Sequence, residues 1–257
     1  MATVDVTKIH QGPGMLWMKV VRPLSGKRLL IDSTGTPVGV PWAASTGYAL
    51  GQQIIDANGN LEQATAAGTS GATAPAWPTT LGATVSDGSV TWQLAEIGSN
   101  VFAGATTGAA TVGLAPKLEE VIADQVAGPL DVIMTAEAAT MELTMMQSDL
   151  ANLQHFIAHG TYTSGSDAGL PAGEQNYEEI AFGGLIAVPR VSVAVISPRR
   201  NAPSKFVVSQ LYQAYQAQAV ELPFQRAKET TYKVKLTGLA DPTRAAGDQV
   251  GKIYRQT

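Results

Sequence analysis

Two histidines of this chain are spaced as zinc ligands on a helix would be. His155 and His159 lie four residues apart, which places two imidazole rings on the same side of an α-helix. A zinc site needs further ligands, and the only other histidine is His10. The chain has no cysteine, so thiolate ligands and disulfides are excluded. The sequence favours two partly exposed histidines near a helix C-terminus over a metal site.

Neighbouring carboxylates occur at residues 119–120 and 178–179. Adjacent residues of a strand point to opposite faces, whereas glycoside hydrolases need two facing carboxyl groups about 5 to 10 Å apart. The sequence also contains no GxGxxG, GxxxxGK[ST] or GxSxG motif. We therefore predict no catalytic residues, no cofactor and no metal, and we predict that the protein is not an enzyme.

The charge distribution argues against nucleic-acid binding. The formal net charge is -4 and only 15% of the residues are charged, whereas a nucleic-acid-binding domain carries a basic face. The basic side chains near the N-terminus and in one later turn better suit acidic faces of a neighbouring subunit. These candidate subunit-contact residues are Lys19, Arg22, Arg28, Arg199 and Arg200.

The stretch 41–97 differs in composition from the rest of the chain. It has no Lys or Arg and contains three of the four tryptophans. Gly, Ala, Thr and Ser dominate it, and Asp87-Gly88 predicts a tight hairpin. We interpret 41–97 as an inserted β module and residues 1–40 with 98–257 as the core domain. Its aromatic residues could form a sugar-stacking platform, but core packing is the favoured interpretation for so small a module. These aromatic residues are Trp42, Tyr48, Trp77 and Trp92.

The remaining elements are mostly strands. Residues 14–23 and 27–33 predict a hairpin, 104–113 a linker, and the alternation of 140–146 a half-buried strand. Residues 148–160 predict a helix of about three turns, and 161–176 a long loop. Further strands are predicted over 191–196 and 230–236. The apolar spacing of 205–222 fits either a helix or a strand, and its β-branched start and the stop at Pro223 favour the strand. Roughly nine strands and one helix indicate a mainly β fold, a β-sandwich or barrel with one flanking α-helix.

The block from 117 to 157 resembles the tail tube proteins, or major tail proteins, of long-tailed bacteriophages. The resemblance covers residues 114–241, and the order and spacing of its motifs carry it. The matching motifs are EEVIADQ (119–125), GPLDV (128–132), ATMEL (139–143), DLANL (149–153), VELPF (220–224), YKVKL (232–236) and GLAD (238–241).

This resemblance implies two packed β-sheets with a flanking helix and a subunit that self-assembles into stacked hexameric rings. It implies a virion protein whose partners are further copies of itself and the tape measure, tail terminator and distal tail proteins. DNA would pass through the lumen without specific binding, which a net negative charge suits. No apolar run approaches the roughly 20 residues that span a bilayer, so we expect no membrane association and synthesis in a host cytoplasm.

The insertion resembles a small β module of phage structural proteins, through WAASTGY (42–48), GATAPAWP (71–78) and DGSVTW (87–92). It is faintly similar to chitinase-type carbohydrate-binding modules. The alternative function is therefore a virion surface protein that binds a receptor or glycan through the tryptophan-rich insertion.

Overall fold

The computed structural model describes residues 14–122, 128–146, 150–157, 160–184, 188–200, 202–221 and 231–257. Within these residues the chain is mainly β, as predicted, with several sheets and one short helix. The strands are β1 (Met15–Met18), β2 (Leu30–Ile31), β3 (Pro37–Val38), β4 (Gly47–Tyr48), β5 (Gln53–Ile55), β6 (Leu61–Ala66), β7 (Gly68–Thr69), β8 (Thr84–Asp87), β9 (Val90–Glu96), β10 (Val101–Ile122), β11 (Pro129–Met145), β12 (Gly160–Ser166), β13 (Asn176–Phe182), β14 (Val191–Arg199), β15 (Ala202–Gln216), β16 (Tyr232–Gly238) and β17 (Gly251–Arg255), and the helix α1 (Leu150–Leu153) follows β11.

The largest sheet closes into a ring. Its strand order is β14-β1-β10-β11-β16-β15-β17, and β14 also pairs with β15. All of its pairings are antiparallel, and the β14–β15 pairing joins the two sides of the sheet. Closure removes the free edges that an open sheet would present to other chains.

Two apolar clusters lie on opposite faces of this ring. All six ring strands contribute to the enclosed cluster, with Leu16, Met141 and Val193 among its buried members. Alternate residues such as Trp17 and Ile196 belong to the second cluster, on the outer face. Because both faces are covered there, β14 shows a continuous buried run rather than alternation.

The alternation predicted for 140–146 is confirmed. Met141, Leu143 and Met145 are buried in β11, while Glu142 is exposed. The strand preferred for 205–222 is confirmed as far as Gln216 by β15, and the one over 191–196 by β14. The strand over 230–236 is confirmed from Tyr232 onward by β16.

The predicted hairpin between 14–23 and 27–33 is wrong. β1 ends at Met18, and both of its edges are occupied by β10 and β14. Lys19 follows with a φ of 53°, a backbone conformation that ends a strand. The later segment instead forms β2, which pairs with β3.

Two segments predicted as irregular are strands. Residues 104–113, predicted as a linker, lie within β10, which pairs with β11 across an irregular register between Thr107 and Thr111. Pairing with the neighbouring strand outweighs the low β propensity of the glycines there. Residues 161–176 contain most of β12 and the first residue of β13, which pair as a hairpin around 167–175.

The helix is shorter than predicted. α1 spans Leu150–Leu153, a single turn, and turn residues follow to Ile157. Ser148, the first residue of the predicted helix, lies outside the described residues. Leu153 is buried in the enclosed core, Leu150 and Ile157 pack against it, and Phe156 is fully buried there as well.

Within 41–97, the strands pair mainly with one another. β5-β6-β9-β8 form one sheet and β4-β7 a second. The hairpin predicted at Asp87-Gly88 is confirmed, with Asp87 paired to Val90 across the turn. Leu61 packs into the outer cluster of the ring, so this part of the chain covers the outer face that β1, β14 and β15 present.

The carboxylate of Asp248, near the C-terminus, forms hydrogen bonds with residues from distant parts of the chain. Asp248 accepts hydrogen bonds from the Tyr212 hydroxyl at 2.6 Å and the Gly26 amide at 3.0 Å, and pairs with Arg244 at 3.0 Å. Burial alone would raise the pKa of Asp248, but the Tyr212 and Gly26 hydrogen bonds and the Arg244 charge outweigh it and hold this pKa well below its usual range.

Candidate assembly surface

A two-stranded arm projects from the closed ring. We define the arm as residues 114–122 of β10, residue 128, and residues 129–139 of β11. β10 pairs with β1 only as far as Ala105, and β11 pairs with β16 only from Thr140 onward. Within the described residues the arm therefore has a free outer edge on each side. Such edges are templates for pairing with another chain.

The arm exposes large apolar side chains. Leu118 is 58% exposed, Ile122 68%, Leu130 58% and Met134 58%. Soluble monomers rarely display contiguous apolar patches of this kind, and such patches mark interaction sites. The further exposed apolar residues of the arm are Leu114, Val121, Val132 and Ile133.

The register shows which apolar residues share a face. In β10, Leu114 and Leu118 continue the row of Val112, which packs against the enclosed core. Leu118 pairs with Met134 across the hairpin, beyond an irregularity between Lys117 and Leu118. One apolar row therefore runs out of the core onto the exposed arm.

The arm is also acidic. Its described residues carry four carboxylates, whereas Lys117 is their single basic residue. The arm thus presents apolar and negative groups together, a combination that suits an apolar partner surface with a basic rim. The four acidic residues are Glu119, Glu120, Asp131 and Glu137.

A second exposed hairpin is formed by β12 and β13. Phe182 is 80% exposed and Tyr177 is 41% exposed. Its base is anchored by Ile180, which packs with Leu150 and Ile157 against the enclosed core. The sequence interpretation missed this projection because the Gly- and Ser-rich composition of 161–176 is typical of a loop.

The aromatic residues proposed for glycan contact pack against each other. Tyr48 and Trp92 are buried, and Trp42 and Trp77 are half-buried against the same cluster. The Tyr48 and Trp92 rings lie 4.8 Å apart between centroids, edge to face. Asp87 accepts hydrogen bonds from the indole nitrogens of Trp42 at 2.8 Å and Trp92 at 3.0 Å.

Replacing Asp87 by Ala is expected to destabilise the insertion by about 3 kcal/mol. The change leaves two indole N–H groups and the Gly71 amide without their carboxylate acceptor, and hydrogen bonds to charged groups are among the stronger ones. Urea unfolding followed by tryptophan fluorescence measures the loss. Ser86→Ala, on the exposed face of the same strand, is the control and should change little. Equal stability of the two variants would contradict this account.

Three of the five candidate subunit-contact charges have partners within the chain. Arg22 lies 3.6 Å from Asp241, Lys19 donates to the Ile97 carbonyl at 2.7 Å, and Arg199 donates to the Gln256 carbonyl at 2.9 Å. Arg28 and Arg200 are exposed. Burial lowers the pKa of Lys19, while Glu96 opposes that effect.

Of the candidate zinc ligands, only His155 lies in the described part of the chain. Burial, followed by the positive charge of Lys19, lowers the pKa of this half-buried histidine to about 4. The described residues contain no cluster of three or more His, Cys, Asp or Glu side chains that could hold a metal ion. Of the adjacent carboxylates, Glu179 accepts a hydrogen bond from Thr163 at 2.8 Å on the exposed β12–β13 hairpin.

Two glutamate carboxyl groups within 41–97 are buried, that of Glu62 in the β5-β6-β9-β8 sheet and that of Glu96 against Ser192 of β14. Glu62 is fully buried opposite Ile54 and Leu94, and neither of its oxygens has a partner among the described residues. Burial, with a smaller contribution from Asp56, raises the pKa of Glu62 to about 7. Burial also raises that of Glu96 to about 7, despite the nearby Arg22 and a 3.1 Å hydrogen bond from Ser192.

No protein-family model and no curated protein matches this chain. Among the described residues, none forms a helix of the length and apolar character needed to cross a membrane.

Proposed function

We propose that this protein is a structural subunit of the tail tube of a long-tailed bacteriophage. In this proposal it assembles into stacked hexameric rings that form the DNA-conducting channel of the virion. The observation that carries the proposal is the arm, an exposed apolar hairpin whose two outer edges are unpaired within the described part of the chain. The order of the motifs in 117–157 supports the choice of the tail tube family.

The contrast between the ring and the arm supports self-assembly. Each strand of the ring is hydrogen-bonded to a neighbouring strand on both sides. The ring itself therefore offers few free strand edges to another chain. The arm leaves both edges and eight large apolar side chains exposed. A subunit whose ring is closed and whose arm offers exposed apolar side chains and strand edges suits ordered polymerisation.

The proposed partners follow from the family resemblance. They are further copies of the chain within the tube, the tape measure protein inside it, and the terminator and distal tail proteins at its two ends. A net charge of -4 suits a lumen through which DNA slides, because a basic lumen would retain a polyanion.

Glycan recognition by the insertion has less support. Tyr48 and Trp92 are buried, and the Trp42 indole nitrogen is engaged by Asp87. Side chains used as a core cannot also stack on a sugar. An increase or shift in tryptophan fluorescence on adding oligosaccharides would favour that alternative.

Replacing Leu118 and Met134 together by Ser is expected to abolish assembly while leaving the fold intact. The two residues pair across the arm and are each 58% exposed, so their loss removes contact area without opening a cavity. Negative-stain electron microscopy and size-exclusion chromatography at increasing protein concentration measure ring and tube formation.

The matched control is Leu81→Ser, which changes an equally exposed leucine, 61% accessible, in the insertion. This variant should assemble as the wild type does. Strictly monomeric wild-type protein at all concentrations would overturn the proposed function, and normal tubes from the double variant would show that the arm is not the assembly surface.

A further inference from the structure

A groove lies on the outer side of the molecule, beside the start of the insertion. The volume of this open groove is about 580 Å³. Leu30, Val38 and Val40 give it an apolar lining, and they are 59%, 42% and 38% exposed. Lys27 and Arg28 also line it, are exposed, and make no ion pair with another described residue. The groove is therefore apolar with a basic rim.

The groove and the arm lie toward opposite ends of β10. Val21 of the groove follows shortly after Met18, which pairs with Val101, the first residue of β10. The arm ends, within the described residues, at Ile122, the last residue of that strand. A strand of 22 residues at about 3.3 Å per residue extends up to roughly 70 Å. The arm of one molecule therefore points away from its own groove.

The two surfaces are complementary in charge and in character. The arm carries four carboxylates against one lysine, whereas the residues lining the groove include three basic and no acidic ones. Arg22, one of the three, is already paired with Asp241, which leaves Lys27 and Arg28 to meet an incoming negative group. Both surfaces also expose aliphatic side chains that bury area on contact.

We propose that the arm of one copy of this chain occupies the groove of the next copy. This inference rests on the proposed function and names the surface that receives the arm. The contact joins two different patches, so it is head-to-tail and repeats from copy to copy. Apolar arm residues such as Ile122 enter the groove. Glu120, on the same face of β10 as Ile122, meets the basic rim, and Glu119 adds to the negative charge of the arm beside it.

Charge reversal on each side tests the pairing. The groove variant carries Lys27→Glu and Arg28→Glu, and the arm variant carries Glu119→Lys and Glu120→Lys. Alone, each places like charges opposite one another, so each should need at least about tenfold more protein than the wild type to assemble. All four residues are exposed, and unchanged thermal melting would show that the fold is intact.

Mixing the two variants is the decisive test of the pairing. The reversed arm then meets the reversed groove, and the native arm of the groove variant meets the native groove of the arm variant. An equimolar mixture should therefore assemble as an alternating copolymer, and a chain with all four changes should assemble alone. Arg190→Glu, a charge reversal at an exposed residue outside the groove, is the control and should assemble normally.

The outcomes separate this inference from the proposed function. Tubes from wild-type protein together with normal tubes from each reversed variant would overturn the groove as the arm's receptor and leave the proposed function standing. Two defective variants whose mixture stays unassembled would also overturn it, because the arm would then bind elsewhere. Wild-type protein that never assembles would overturn both.

Discussion

Replacing Glu62 by Gln is expected to stabilise the protein at pH 8 by about 2 to 3 kcal/mol more than at pH 5. Glu62 is buried without a hydrogen-bond partner among the described residues, and burial raises its pKa to about 7. Each unit of pKa difference between folded and unfolded states is about 1.4 kcal/mol. Glutamine keeps the shape of the protonated side chain and removes the ionisation.

The sign of this effect follows from proton linkage. The folded-state pKa lies above the unfolded value of 4.5, so the folded protein binds the proton more tightly. The stabilisation is complete below about pH 4.5 and is lost as the pH rises through about 7. Glu96 shifts in the same direction, so wild-type stability should fall over this range and Glu62→Gln should flatten only part of the fall.

Urea unfolding at several pH values between 5 and 8 measures this dependence. Glu174→Gln, on the exposed loop after β12, is the matched control and should follow the wild-type curve. A Glu62→Gln variant whose stability falls with pH as steeply as the wild type would refute the assignment.

Replacing Asp248 by Ala is expected to destabilise the protein by about 3 kcal/mol. The change leaves the guanidinium of Arg244, whose side chain is only 7% exposed, without its carboxylate partner. It also removes the acceptor of the Tyr212 hydroxyl. Removing one member of a buried charged pair is costly because the other charge remains desolvated. The substitution also removes the acceptor of the Gly26 amide, one of the hydrogen bonds that hold this loop to the C-terminal segment.

This effect has the opposite pH dependence. The pKa of Asp248 lies below its unfolded value of 3.8, so its contribution is present above about pH 4 and is lost on acidification. Thermal unfolding between pH 3 and 7 should show the variant and the wild type converging at low pH. Asp167→Ala, in an exposed loop where the carboxylate accepts the Gly169 amide, should cost far less. Equal melting temperatures of the Asp248 and Asp167 variants would contradict the stabilising role of Asp248.

Local patterns predicted the parts of this fold that local forces determine. The alternation of Met141, Leu143 and Met145 identified a half-buried strand because one face packs on the core. Asp87-Gly88 identified a hairpin because a two-residue turn needs a residue with positive φ, which Gly88 supplies at 61°.

Long-range pairing could not be predicted in the same way. β1 pairs with β14, from a distant part of the sequence, and no local signal specifies that partner. The Gly-rich stretch 104–113 forms a strand because β1 pairs with its first two residues and β11 with the residues from Thr106 onward. The apolar residues of the arm were visible in the sequence, but their exposure depends on where β1 and β16 stop pairing.

The closed ring also determines the order in which the chain can fold. Met15 pairs with Ile196, so the ring cannot close during synthesis until most of the chain has left the ribosome. Long-range β pairing of this kind is slow, on the order of milliseconds to seconds for small β domains. The strands of 41–97 pair mainly among themselves and can form earlier, before β14 and β15 supply most of the outer face that this segment later covers. The segment 41–97 is thus the part that can become native first.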